Sequence, residues 1–345
     1  MNEASEATPT PHKRRPRYPG KNPRRFEDKY KEHAQDAGTI TKVLAAGKTP
    51  AGTHRPIMVA EILAVLAPKP GEVAVDCTLG YGGHAQAILP CLMPDGKLLG
   101  LDADPIELPR TEARLRSLGF SAEVFTAHRS NFAGLPQVLA ANGLTGADVI
   151  LADLGVSSMQ IDDPARGFSV KFEGPLDMRM NPRRGQTAAA LLEKIKPAAL
   201  AELFVENSDE PHAAALSEAL AGKSFATTRQ LAEAIRAALP GVKKEDADLS
   251  VRRVFQALRI AVNDEFSALD TFLRHLPACL NPGGRVAVLT FHSGEDRRVK
   301  KAFQAGERAG LYAEIAHDVI RPTPEEIRSN SRAAPTKLRW ARRAA

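Results

Sequence analysis

Apolar runs alternate with stretches of helical spacing along the first half of the chain. Four apolar runs read as strands covered on both faces: residues 73–77, 97–101, 122–127 and 148–153. Apolar residues at helical spacing fill the intervals between them, at residues 84–92, 105–118 and 133–142. Strands that alternate with helices of this length predict an α/β fold with a parallel sheet.

This rhythm breaks between residues 162 and 275, where no strand pattern occurs. Helix formers predominate there and predict four helices, at residues 187–205, 211–221, 227–239 and 250–276. The strand pattern returns with one apolar run and two candidate edge strands, at residues 285–291, 312–320 and 337–342. We therefore predict a Rossmann-like domain at 51–161 and 277–345, interrupted by an all-helical domain at 162–276.

Charge is distributed unevenly over the 345 residues, whose 43% hydrophobic and 26% charged content indicates a folded soluble protein. Residues 1–50 hold 11 Lys and Arg against 6 Asp and Glu, and residues 321–345 hold 7 against 2. The segment between them is slightly acidic, with 29 against 33. Low apolar content predicts that residues 1–50 form a disordered basic arm, and the two basic ends indicate a polyanionic partner such as nucleic acid.

The cysteines and the hydropathy pattern exclude several classes of protein. Cys77, Cys91 and Cys279 are far apart, and no CxxC or His pair stands at metal-binding spacing. Neither a disulfide framework nor a metal site is predicted, and a reducing cytoplasm fits. No run of about 18 apolar residues occurs, so no membrane span is expected.

The first candidate site is the glycine-rich turn DCTLGYGGH at 76–84, between the first predicted strand and its helix. Glycines permit close backbone approach, and ligands bind at this edge of a doubly wound sheet. Alone, the turn is equally compatible with a plain connection. Asp102, at the end of the second predicted strand, suits a ribose diol. Together they indicate an adenosine cofactor, and the compact glycine pattern favours S-adenosylmethionine over NAD.

Further candidates follow the later strands. The segment DLGVSSMQ at 153–160 ends the fourth predicted strand at the same sheet edge. The loop at 162–180 is rich in Gly, Pro, Asp and Arg, which is uncommon in a loop without a function. Arg259 and Glu265 read by themselves as a solvated helix face, and His292 is as compatible with lining the site as with a structural role.

These segments resemble the bacterial ribosomal RNA small subunit methyltransferase H family, the 16S rRNA cytosine-N4 methyltransferases. The resemblance covers residues 53–343 in order. The similar motifs are HRPI at 54–57, TLGYGGH at 78–84, DADP at 102–105, NF at 131–132, LADLGVSS at 151–158, RGFS at 166–169, GPLDMRM at 174–180, FQALRI at 255–260, FHS at 291–293 and ED at 295–296.

The resemblance implies methyl transfer from S-adenosylmethionine to a decoding-site cytosine of 16S rRNA in the small ribosomal subunit, with the inserted helices recognising the substrate. The implied cofactor contacts are Gly82, Gly83, His84, Asp102, Phe132, Asp153 and Gln160. Asp102 would hold the ribose, and Phe132 would lie near the adenine. The candidate catalytic residues are Ser157, Ser158 and His292, and the candidate substrate contacts are Arg166, Asp177, Arg179, Arg259 and Asn263.

The chain departs from the family pattern at 207–210, 249–252 and Gly294, and residues 1–50 are expected to lie outside that pattern. The first two departures fall in the predicted insertion, so they bear on substrate choice more than on chemistry.

The chemistry expected of the site is direct in-line attack by the cytosine amine, without a covalent enzyme intermediate. A C5-cytosine enzyme would need a nucleophilic cysteine, and no cysteine is expected beside the fourth-strand segment. Two rival functions stay open: a non-catalytic RNA-binding assembly factor that keeps a cofactor pocket, and a small-molecule methyltransferase.

Overall fold

The computed structural model describes residues 56–345, apart from the side chain of Ser158, so the predicted basic arm lies outside the described residues. These residues form a seven-stranded sheet in the order β3-β2-β1-β4-β5-β7-β6. The strands are β1 (Val73–Asp76), β2 (Lys97–Asp102), β3 (Phe125–Arg129), β4 (Ala147–Asp153), β5 (Leu280–Thr290), β6 (Tyr312–Ile315) and β7 (Lys337–Arg343). Strands β1 to β5 pair in parallel, whereas β7 pairs antiparallel with both β5 and β6. The predicted α/β class is confirmed.

The helices follow the predicted alternation and then form the insertion. Those of the first half are α1 (Val59–Leu66), α2 (Gly83–Leu92), α3 (Glu107–Ser117), α4 (Leu135–Ala141) and α5 (Ser158–Asp162). Those that precede β5 are α6 (Ala188–Lys194), α7 (Pro197–Ser208), α8 (Ala213–Leu220), α9 (Thr228–Ala237), α10 (Lys244–Asn263) and α11 (Glu265–Cys279). Two more complete the fold, α12 (Ser293–Arg308) and α13 (Pro324–Ser329). No described helix has the length and apolar character that a bilayer span requires.

Both faces of the sheet are buried because successive strand residues point to opposite sides. Ala74 and Leu98 pack with α1, α2 and α3, whereas their neighbours Val75 and Leu99 pack with α4, α11 and α12. This explains why the parallel strands read as continuous apolar runs.

The inserted helices have a separate hydrophobic core. Its centre is α10, whose Val251, Val254 and Leu258 are almost fully buried among residues of α6, α7, α8 and α9. Helix α11 was predicted as part of the insertion, but its Phe272 and Leu276 pack in the core beneath the sheet.

Two predicted helices are each divided in the structure. The predicted helix 187–205 becomes α6 and α7, because Lys196 is extended and Pro197 begins a new helix. The predicted helix 250–276 becomes α10 and α11, because Asp264 takes the left-handed conformation with φ 51°. Strand β3 begins at Phe125, three residues later than predicted, and α12 was not predicted.

Candidate active site

The carboxyl ends of β1 to β5 open into one cavity of about 940 Å³. The order of the strands determines the order of the side chains that line the cavity. Phe132 lies just after β3, Asp102 ends β2, Asp153 ends β4, and Glu295 lies after β5. At about 4.8 Å per strand, the tips of β2 and β5 lie about 14 Å apart. The cavity therefore spans enough of the sheet for a cofactor and a second reactant.

Asp102 holds the glycine loop open at one end of this cavity. Its Oδ2 accepts the backbone N–H of Gly80 at 2.7 Å, and its Oδ1 accepts that of Asp104 at 2.8 Å. Burial raises the pKa of Asp102 to about 6, although both hydrogen bonds favour the carboxylate. A carboxylate keeps further lone pairs after two such bonds, so it can accept two adjacent hydroxyls. This pair of acceptor oxygens fits the two hydroxyls of a ribose.

Gly82 faces helix α3 and does not line the cavity, in contrast to Gly83 and His84. Gly82 precedes α2 with φ 72°, and a Cβ there would lie 2.9 Å from Cγ2 of Thr111. The glycine is therefore required by the turn and by close packing, and it is not placed for the cofactor contact that its motif predicted.

We expect Gly82→Ala to lower the free energy of unfolding more than Gly71→Ala does. Both positions have positive φ, but nothing lies within 4 Å of a Cβ built on Gly71. The left-handed backbone should cost about 1–2 kcal/mol at either site. The clash should add roughly 1–3 kcal/mol at Gly82 alone. Equal denaturation midpoints for the two variants would show that α3 moves away from the added Cβ at no measurable cost in stability.

Asp153 places an unpartnered acceptor near the middle of the cavity. Its Oδ1 is buried and accepts no hydrogen bond from the described part of the chain. Its backbone N–H donates to Oγ1 of Thr78 at 2.6 Å, which fixes the residue beside the glycine loop. Burial, followed by the charge of Glu295, raises the pKa of Asp153 to about 7. A buried carboxyl in this state is suited to a cationic or N–H donor ligand.

His84 lies against Asp153 without forming a close pair. Its Nε2 donates to the carbonyl of Ile57 at 2.9 Å, so Nδ1 carries no proton in the neutral ring. Nδ1 lies 3.7 Å from Oδ2 of Asp153, which is too long for a hydrogen bond. Burial lowers the pKa of His84, and we therefore treat the ring as neutral rather than as the cation of an ion pair.

A buried network around Asp104 accounts for three of the predicted site residues. Gln160 donates from Nε2 to Oδ2 of Asp104 at 2.9 Å, and its Oε1 accepts the N–H of Ser157 at 3.0 Å. Ser157 in turn caps α5 through Oγ. Arg166 donates from Nη1 to the same Oδ2 at 2.8 Å. Gln160 and Ser157 thus line the cavity, but their side chains are already hydrogen-bonded within the protein. Arg166 does not line the cavity.

The net effect of this network is to keep Asp104 ionised. Burial opposes the charge, but the hydrogen bonds from Gln160 and Arg166 outweigh it and lower the pKa of Asp104. The side chain of Ser158, the neighbouring catalytic candidate, lies outside the described residues.

The remaining insertion candidates differ in their access to the cavity. Both oxygens of Asp177 accept from Arg179, at 2.7 and 2.8 Å, and neither residue lines the cavity. Asn263 does line it, and its side chain pins the loop to α10 by accepting from the N–H of Met180 and donating to the carbonyl of Met178.

The far end of the cavity holds a second buried charge cluster. Arg259 donates from Nε and Nη2 to the two oxygens of Glu265, at 2.8 and 2.9 Å, and both residues line the cavity. His292 does not: its Nδ1 caps α12, and its Nε2 lies 3.1 Å from Oε1 of Glu295, unaligned for a hydrogen bond.

Cys77, directly after β1, is buried in the hydrophobic core. Its N–H donates to the carbonyl of Leu151 in β4 at 2.8 Å, ahead of the segment 153–160, and the residue also lines the cavity. Burial raises the pKa of its thiol well above the usual range, so the thiolate needed for covalent catalysis is disfavoured. This protonation state supports the expectation that no covalent intermediate forms.

No group of three or more His, Cys, Asp and Glu side chains within residues 56–345 is arranged to hold a metal ion. The cavity presents a carboxylate beside the glycine loop at the Asp102 end and an unpartnered buried acceptor at Asp153.

Five parallel strands that order Asp102, the glycine loop and Asp153 along one cavity define a Rossmann-like fold with a nucleotide-type ligand site at its carboxyl edge. The chain belongs to the MraW methylase family, whose model matches residues 51–344. The family membership confirms the expected cofactor, S-adenosylmethionine.

Curated relatives share close to half of the sequence. The chain is 49% identical over 341 residues to Ribosomal RNA small subunit methyltransferase H 1 of Lachnoclostridium phytofermentans, a match that covers 96% of this chain and 93% of the relative. It is 50% identical over 339 residues to methyltransferase H 2 of Alkaliphilus metalliredigens, covering 95% and 97%. The resemblance identified from the motifs is thereby confirmed.

These matches change the interpretation of the N-terminal arm. A match covering 96% of 345 residues leaves out about 14, so it includes most of residues 1–50. The methyltransferase H of Syntrophotalea carbinolica, at 40% identity, covers only 84% of the chain. The arm lies outside the family model, as expected, although the matches to the first two relatives include most of it.

Solved structures give a more distant likeness. A SAM-dependent O-methyltransferase from Thermotoga maritima has a TM-score of 0.38 at 11% identity, covering 83% of this chain and 64% of its own. A SAM-dependent methyltransferase from Aquifex aeolicus has a TM-score of 0.39 at 9% identity, covering 88% and 98%. Both TM-scores are low, and the fold class rests on the strand order of the sheet.

Proposed function

We propose that the chain transfers a methyl group from S-adenosylmethionine to the exocyclic N4 amine of a decoding-site cytosine in 16S rRNA, within the small ribosomal subunit. The names of the curated relatives support a small-subunit ribosomal RNA as the substrate. The observation that carries the proposal is the unpartnered Oδ1 of Asp153, which offers a buried acceptor for a cationic cofactor group in the cavity that Asp102 and the Arg259–Glu265 pair also line.

We assign the cofactor contacts by position in the cavity. Asp102 would accept the ribose hydroxyls, and Phe132, held edge-on by Phe272 at 5.6 Å between ring centroids, would flank the adenine. Gly83 and His84 would line the path between the glycine loop and Asp153. The carboxylate of Asp153 would accept from the cofactor's ammonium group, which satisfies its buried oxygen.

When bound, S-adenosylmethionine supplies a methyl group on a sulfonium centre. The sulfur leaves as a neutral thioether, so its departure needs no acid assistance. The task of the protein is then to orient the amine and localise its lone pair, which is otherwise delocalised into the ring. Backbone carbonyl acceptors in the segment 154–156, which lines the cavity, would hold one N4–H in place. No covalent intermediate and no strong base are needed, because the proton is lost after nitrogen has become positive.

Substrate access requires that the cytosine leave its stack, because a base stacked inside folded RNA cannot reach residues that line a cavity at the strand ends. We propose that the helices α6 to α10, together with the loop at 163–187, recognise the surrounding RNA. The loop at 178–180 joins this insertion to the cavity wall through Asn263.

Product analysis tests this proposal directly. Radiolabelled S-adenosylmethionine should be supplied with small ribosomal subunits, naked 16S rRNA and DNA, and the recovered nucleic acid digested to nucleosides. We expect labelled N4-methylcytidine from an RNA sample and none from DNA. Label in another nucleoside, or none in any RNA, would refute the assignment. The second result would favour a non-catalytic assembly factor.

A further inference from the structure

The Arg259–Glu265 ion pair forms because one helix ends and the next begins at Asp264. In one continuous helix, residues six positions apart lie about 9 Å apart along the axis and on different faces. Asp264 instead ends α10 with φ 51° and lets α11 begin in a new direction. The break brings the carboxylate of Glu265 onto the guanidinium of Arg259 with two hydrogen bonds.

This pair presents both a donor and an acceptor to the cavity. Arg259 uses Nε and Nη2 for Glu265, and its Nη1 donates to no residue of the described chain. The Glu265 oxygens accept from Arg259 and retain further lone pairs. Only 16% of the Arg259 side chain and 11% of the Glu265 side chain are exposed, and both residues line the cavity.

The pairing edge of cytosine is complementary to this arrangement. It offers an N4–H donor beside the N3 acceptor, whereas uracil offers the O4 acceptor at the first position and an N3–H donor at the second. We propose that the Arg259–Glu265 pair reads the base: Glu265 accepts one N4–H, and Nη1 of Arg259 donates to N3. Uracil would place O4 against a buried carboxylate and N3–H against a guanidinium.

The same contact serves the reaction, and this inference rests on the proposed function. An acceptor on one N4–H increases electron density on the amine, while the segment 154–156 holds the other. Glu295 stands behind the pair, and its charge raises the pKa of both Arg259 and Glu265. Burial lowers the pKa of Arg259 and raises that of Glu265, but in Arg259 the carboxylates prevail, which keeps the guanidinium protonated.

The test measures base preference without turnover. The full chain, saturated with S-adenosylhomocysteine, should be titrated with cytidine 5′-monophosphate and with uridine 5′-monophosphate by calorimetry. We expect the wild type to bind the cytidine nucleotide roughly tenfold more tightly or better. The double variant Arg259→Gln/Glu265→Gln, which removes both charges together, should bind the two nucleotides about equally.

A second ion pair provides a matched control. Arg285 donates from Nη1 and Nη2 to the two oxygens of Glu72, at 2.8 and 2.9 Å, and neither residue lines the cavity. Its side chains are 14% and 17% exposed, close to the values for the cavity pair. Arg285 also donates to the carbonyls of Leu66 and Ala67, so Arg285→Gln/Glu72→Gln should cost at least as much stability as the cavity variant and leave the cytidine preference unchanged.

The outcomes separate this inference from the proposed function. Three results would overturn the proposed base recognition by Arg259 and Glu265. They are equal affinities in the wild type, no binding of either nucleotide, and a preference that is retained in the folded Arg259/Glu265 variant. Should that variant fail to fold, Glu265→Asp, which keeps the charge but shortens its reach, must reduce the preference. If N4-methylcytidine forms but the chain shows no cytidine preference, only the base recognition by Arg259 and Glu265 is refuted. If the preference is found but no RNA is methylated, only the proposed reaction is refuted.

Discussion

Replacing Asp153 with asparagine is expected to raise the Kd for S-adenosylmethionine roughly 10- to 100-fold, because a charge-assisted hydrogen bond becomes a neutral one. Asparagine keeps the shape of the side chain, and the backbone N–H still reaches Oγ1 of Thr78. The effect should therefore appear in the affinity for the cofactor and only weakly in the free energy of unfolding. Calorimetric titration at pH 8 measures it.

The pH dependence gives this prediction a second readout. The pKa of Asp153 is raised to about 7, so the carboxylate charge is present above that pH and lost below it. Affinity of the wild type should weaken as pH falls from 8 to 6, approaching tenfold per unit below 7, and the asparagine variant should lose this slope. Asp102 and Asp76, with pKa values of about 6, add dependence only lower in that range.

Asp148 offers a control on the same strand. It lies at the opposite end of β4, where its oxygens accept from the N–H of Val73 and from Nδ2 of Asn281. Asp148→Asn should reduce stability and leave both the affinity and its pH profile intact. A wild-type affinity that is flat between pH 6 and 8 would remove Asp153 from the cofactor site.

Replacing Asp102 with alanine is expected to weaken S-adenosylhomocysteine binding about 100-fold or more. The carboxylate accepts from Gly80 and Asp104, and in our assignment also from two ribose hydroxyls, so its loss affects both the loop and the ligand. Equilibrium binding of the radiolabelled ligand measures the Kd.

An analogue separates the two contributions. S-adenosylhomocysteine lacking the ribose 2′-hydroxyl should bind the wild type more weakly, whereas Asp102→Ala should bind the parent ligand and the analogue alike, because the partner of the hydroxyl is already gone. If the missing hydroxyl costs the variant as much as the wild type, Asp102 shapes the loop and does not hold the ribose.

Features determined by local pattern were predictable from the sequence. Buried parallel strands read as apolar runs, and an acid that directly follows such a run must stand at the carboxyl edge of the sheet, which placed Asp102 and Asp153. The glycine loop was equally visible, although the direction in which Gly82 faces depends on its packing against α3.

Features determined by tertiary contact were not predictable in this way. Asp264 has a positive φ without the glycine that would signal it, so the pattern across 250–276 read as one helix and Glu265 as a solvated residue. Asp104 follows β2 by only two residues, yet its importance comes from Gln160 and Arg166, more than 50 positions away. The only local signal was an Asp-x-Asp pattern.

The Arg166–Asp104 contact joins the insertion to the cofactor loop by a single buried charge pair. Arg166 also donates to the carbonyl of Met180, and Asp104 donates its own N–H to Asp102. In our assignment this contact joins the cofactor site to the RNA site, and thermodynamic coupling between two sites has no preferred direction. By whatever factor bound cofactor strengthens RNA binding through this contact, bound RNA must strengthen cofactor binding by the same factor. The order in which the two reactants arrive then changes the route to the ternary complex without changing its stability.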